Sequence, residues 1–158
     1  KEKLSTAIFV DGAINRITQA AMIPDSAFVY VLRVDPSNLK KSLDRMQRIY
    51  TLAKLPLYTP ELAENAFFAN GALSMDSATR LPAKAKTVVI DDFTKLFLDA
   101  AELRSFLRER RLFVKRQIGF DGFVVIQRGI AKKAVLDMLE PEAAKLVTFN
   151  PYDEDDAA

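Results

Sequence analysis

Apolar positions along this chain recur at two spacings, and their alternation lays out a succession of strands and helices. The segment "TAIFVDG", Thr6 to Gly12, reads as a first strand, and "AINRITQAAM" after it as a short helix. A turn signal at "IPDS", residues 23–26, leads into "AFVYVLRV", residues 27–34, whose continuous apolar and β-branched content predicts a central strand. The clearest helix follows. Asp35 caps it, Pro36 suits its first turn, and Leu39, Leu43, Met46, Tyr50 and Ala53 form one apolar side. Lys40, Lys41, Asp44, Arg45, Gln47 and Arg48 take the other side, which reads first as a solvated face.

Residues 55–86 are less regular. They hold two prolines in "LPLYTP", a helix candidate from Glu61 to Asn70, and a loop ending in a basic linker, and they mark the boundary between an amino-terminal α/β portion (1–86) and the rest. From residue 87 the signals are dense. "TVVIDDF" is a strand, Asp99 and Glu102 make a D-x-x-E capping box before a helix, and "LFVKRQI" is a second strand. The Asp-Gly pair in "GFDG" predicts a hairpin into "FVVIQ", residues 123–127. A helix over Ile130–Leu139 and a last strand "KLVTFNPY" complete the order β-α-β-β-α-β.

That order predicts an α+β protein whose residues 87–152 form a ferredoxin-like antiparallel sheet with both helices on one face. The amino-terminal portion extends that sheet or covers its free face. Residues 153–158 are an acidic tail. In "GFDGFVVIQRGIAKKAVLDML", residues 119–139, the chain resembles the second half of an RNA recognition motif domain, a likeness that covers about 40% of the chain counted over residues 87–152. The resemblance places Gly122, Phe123 and Val124 on the family's G-F-V and implies that Phe123 stacks on a base from the open face. Phe120 supplies a second aromatic if Asp121 is a bulged, extra residue. The chain departs from the family at three points: Gln117 or Ile118 stands where a Lys or Arg belongs, Ile126 replaces the last aromatic, and "VVIDDF" lacks an aromatic.

Composition narrows the chemistry. The 158 residues are 49% hydrophobic and 28% charged, the make-up of a folded chain able to bury roughly 70% of its unfolded surface. With neither cysteine nor histidine, thiol and imidazole nucleophiles and the commonest transition-metal ligands are absent, and a reducing cytoplasm is the expected setting. No apolar run approaches the roughly 20 residues that span a bilayer, so no membrane partner is expected. Lys1 in place of Met reads as a processed form, an excised domain or a trimmed chain. The net charge is +2, but "DEDD" (153–156) holds four of the 21 acids, so the remainder carries 23 basic against 17 acidic residues. That balance favours an anionic partner. Phosphate loops, nucleophile elbows and dinucleotide fingerprints are all missing.

Three functional readings follow. The first is a non-catalytic protein binding single-stranded nucleic acid, RNA in particular. Phe120 and Phe123 stack, while Arg110, Arg111, Lys115, Arg116 and Arg128 contact phosphates; no cofactor is needed. The segment Arg104 to Arg116 supports it with six basic residues against Glu109, although Arg104, Arg108 and Arg111 also read as the wet side of a helix. The second is a structural subunit whose sheet face or Leu39–Ala53 helix docks a protein partner or another copy. The third is a nuclease holding Mg²⁺ on strand-end aspartates, with Asp11, Asp91 and Asp92 as its catalytic set.

Overall fold

Alternation in "AFVYVLRV" builds strand β1 (Ala27–Val34), turning Phe28, Tyr30, Leu32 and Val34 to one side and Val29, Val31 and Arg33 to the other. A computed structural model of the chain describes residues 26–62 and 65–151. The strand and helix expected before Ser26, with Asp11, and the acidic tail lie outside them.

Helix α1 (Leu39–Ala53) follows, burying Ser42, Met46, Ile49 and Leu52. Asp35 holds the turn before it by accepting from the backbone N–H groups of Ser37 (3.0 Å) and Asn38 (3.2 Å). Next come the short strand β2 (Phe67–Phe68), helix α2 (Met75–Thr79) and strand β3 (Thr87–Ile90). Helix α3 (Ala100–Glu109) begins with the expected capping box: Asp99 accepts from Ala101 and Glu102 N–H, and Glu102 accepts from Asp99 N–H. Such a cap is worth about 1 kcal/mol. Strands β4 (Arg111–Val114) and β5 (Gly119–Gln127), helices α4 (Lys132–Asp137) and α5 (Pro141–Ala144), and strand β6 (Val147–Phe149) complete the described elements.

The expected antiparallel ferredoxin-like sheet does not form. The described strands make two three-stranded sheets in the orders β1-β5-β6 and β2-β3-β4, and each of their pairings is parallel. "LFVK" and "FVVIQ" therefore belong to different sheets instead of one hairpin. Their connection, residues 115–118, carries the chain from one sheet to the other. The Asp-Gly pair misled because it is a bulge: Phe28 pairs with Phe120 and Val29 with Gly122, leaving Asp121 as the extra residue. Gly122 has φ +128°, and a Cβ there would lie 2.4 Å from the Leu146 carbonyl oxygen. Its glycine serves a close approach to β6, not a turn. The continuous apolar run "TVVI" is buried along its whole length, as strands covered on both faces are.

Two cores result. Helices α1, α4 and α5 cover one face of β1-β5-β6, packing Met46, Ile49, Val135 and Leu139 on Tyr30, Leu32, Phe123 and Val125. Helices α1, α2 and α3 cover one face of β2-β3-β4, with Leu52, Leu103 and Phe106 on Val88, Ile90 and Leu112. Phe28 packs against both. Among the described residues no helix is long and apolar enough to cross a membrane.

Candidate nucleic-acid interface

Phe123 is only 1% exposed, its side chain turned into the core beside Tyr30 (ring centroids 6.3 Å apart) and Phe120 (4.9 Å). Phe120 also packs on Phe28 at 4.9 Å. The two phenylalanines do come together, and Asp121 is the bulged residue, but both rings face the helices. Val124 and Ile126 take the opposite side of the strand. In this structure neither ring is presented to a base from the open face of its sheet.

An aromatic surface exists on the other sheet. Alternation along β4 puts Arg111 and Phe113 on the face away from helices α1 to α3, and Lys115 continues that row just past the strand. Register aligns Phe68 with Val89, and Val89 with Phe113, so these three side chains run across that same outer face. Tyr58 is brought there by residues 56–58, which flank β4: Val114 N–H donates to the Pro56 carbonyl (3.0 Å) and Tyr58 N–H to the Val114 carbonyl (2.7 Å). Tyr58 covers Val89 and Phe113, which are buried, and meets Phe68 edge to face at 5.2 Å. Phe68 remains 48% exposed.

Cations flank these rings. Lys115 Nζ stands 5.7 Å from the Phe68 centroid, and the Arg111 guanidinium 5.1 Å from that of Phe113. Lys115 also donates to Asp91 Oδ1 at 2.8 Å. That hydrogen bond, with the positive field of Lys115, Arg116 and Lys95, holds the Asp91 carboxyl below the usual carboxylate range despite partial burial. The pair is exposed on both sides, and such pairs contribute at most about 1 kcal/mol. A phosphate can therefore compete with Asp91 for the ammonium group.

The other expected contacts divide by location. Arg116 binds the buried Asp92 at 3.1 Å; Asp92 also accepts from Thr94 N–H (2.9 Å) and Thr94 Oγ1. Arg110 donates to the carbonyls of Pro82 (3.1 Å) and Ala85 (2.6 Å) and steadies that loop. Beside it a hollow of about 410 Å³ is lined by Pro56, Leu107, Arg110, Arg111 and Phe113, among others. Arg128 is exposed at the carboxyl end of β5, on the other sheet.

Two residues of the nuclease set, Asp91 and Asp92, can be placed. Asp91 and Asp92 each face a cation of this chain, and among the described residues no three His, Cys, Asp or Glu side chains are grouped as a metal would require. Asp11 lies outside the described residues. Compared with known proteins, the chain matches no family model, no curated protein and no solved structure.

Sequence reasoning missed Tyr58 and Phe68. Both lie in residues 55–86, where strand β2 is only two residues long and shows no period. The readable signal was the alternation Arg111, Phe113, Lys115, an aromatic between two cations on one side of a strand.

Proposed function

We propose that this protein is a non-catalytic binder of single-stranded nucleic acid, RNA in particular. It takes the strand on the outer face of β2-β3-β4. The observation that carries the reading is the half-exposed Phe68 ring with Tyr58 edge-on to it and Lys115 beside it. A base stacks on the exposed Phe68 ring, which Tyr58 supports edge-on, and Lys115 and Arg111 meet the flanking phosphates. Stacking tolerates any base, so the expected preference is for unpaired strands over sequence. A reducing cytoplasm suits a chain without cysteine.

Titrating labelled single-stranded RNA, single-stranded DNA and duplex over a salt series tests this. Phe68→Ala is expected to weaken single-strand binding by about 1–3 kcal/mol. Lys115→Ala is expected to lower the slope of log affinity against log salt by about 1. Absence of salt-sensitive binding to either single strand removes the reading.

A second reading rests on the open face of β1-β5-β6. Parallel sheets are ordinarily covered on both sides, yet Val29 and Val31 are 50% and 59% exposed there. On this reading the face docks a second copy of the chain. Sedimentation is then expected to show a dimer that Val31→Glu dissociates; a wild-type monomer at all concentrations rules out that pairing.

A further inference from the structure

A second basic surface lies between helices α1 and α3, where a groove of about 400 Å³ has Ala100, Leu103 and Leu107 among its apolar lining. Its rim carries Arg48, Arg104 and Arg108, and among the described residues the one acid lining it is Glu140. Arg48 is committed: its Nε donates to the Leu98 carbonyl at 2.7 Å and its Nη2 to the Leu96 carbonyl at 3.0 Å. Arg104 and Arg108 are exposed, four apart on one side of α3, and neither makes an ion pair with a described residue. Like charges at that spacing repel, and the third guanidinium nearby adds to the repulsion. An anion in the groove relieves it, and arginine matches phosphate geometry better than any other side chain.

This groove borders the hollow beside β4. Leu107 lines both the groove and the hollow beside β4, and the hollow carries Arg110 and Arg111. From Arg111 the row along β4 runs to Lys115 over the buried Phe113, which Tyr58 covers. The geometry points to a single track for a phosphodiester backbone, running from Lys115 and Arg111 around the end of α3 to Arg108 and Arg104. The site therefore takes an extended strand, not one or two nucleotides. This rests on the outer face of β2-β3-β4 being the nucleic-acid surface.

The test measures a single-stranded tetranucleotide and a dodecanucleotide by fluorescence anisotropy over a salt series, with the full chain. The dodecamer is expected to bind more tightly and with the steeper salt dependence. Arg104→Ala with Arg108→Ala keeps the helix, since alanine favours it and both positions are exposed. The double variant is expected to lower the dodecamer's log-log salt slope by about 2 and its affinity by about tenfold at low salt, leaving the tetramer unchanged. Phe68→Ala weakens both oligomers. Wild-type dodecamer affinity and slope in the double variant overturn the track while leaving the outer-face reading intact. A double variant that weakens the tetramer as much as the dodecamer also overturns it, because the arginines then act on the primary site. Failure of wild-type protein to bind either oligomer removes both.

Discussion

Phe123→Ala is expected to cost about 3–5 kcal/mol of stability, the usual range for emptying a buried phenylalanine site. The ring fills the space between Tyr30, Phe120 and the helices over β1-β5-β6, with 1% of its surface exposed. Its removal leaves a cavity in a core that α1, α4 and α5 share. Equilibrium unfolding in denaturant checks the size of the loss. Nucleic-acid affinity measured where the variant is still folded checks its kind, and is expected to match wild type. A variant of normal stability that has lost single-strand binding would return Phe123 to the role its resemblance implied.

Gly122→Ala is expected to be nearly as damaging. The new Cβ would meet the Leu146 carbonyl oxygen at 2.4 Å, the atom that accepts the Phe123 N–H at 2.8 Å where β5 joins β6. Relief requires the strands to part or the bulge to unwind, and with φ at +128° the loss is expected to reach about 3 kcal/mol or more. Gly71 provides the control, with φ +94° and open space where its Cβ would stand. There Gly71→Ala brings only backbone strain, about 1–2 kcal/mol. Equal losses at the two positions would show that contact with β6 is not what demands the glycine at 122.

These two residues also show which features the amino-acid pattern disclosed. Helix α1, the Asp99–Glu102 capping box and the strand segments other than β2 were legible because each is written in residues a few positions apart. Strand partners were not. The Asp-Gly pair carries the same local signature in a turn and in a bulge, and only the Leu146 carbonyl distinguishes them. Parity had the same weakness: assigning Phe123 outward or inward depends on which face α1 covers, a fact supplied by residues 39–53. The two flanking cations were visible, since Arg111 and Lys115 were both among the expected phosphate contacts. The aromatic between them was looked for on the wrong strand. Tyr58 and Phe68 reach that face through a bridge to Val114 and a two-residue strand, too short for any period to announce.

The wholly parallel pairing has a consequence for how the chain is made. Strands β2, β3 and β4 are all synthesised by Val114, so their sheet can close while later residues are still on the ribosome. Of the described strands β1 emerges first, and its described partner is β5, whose pairing begins at Ala27 with Gly119. At about 5–20 residues per second, β1 waits on the order of ten seconds with apolar Val29, Val31 and Leu32 unpaired. Among the described strands it waits longest for its partner, and any truncation before Gly119 removes that partner altogether.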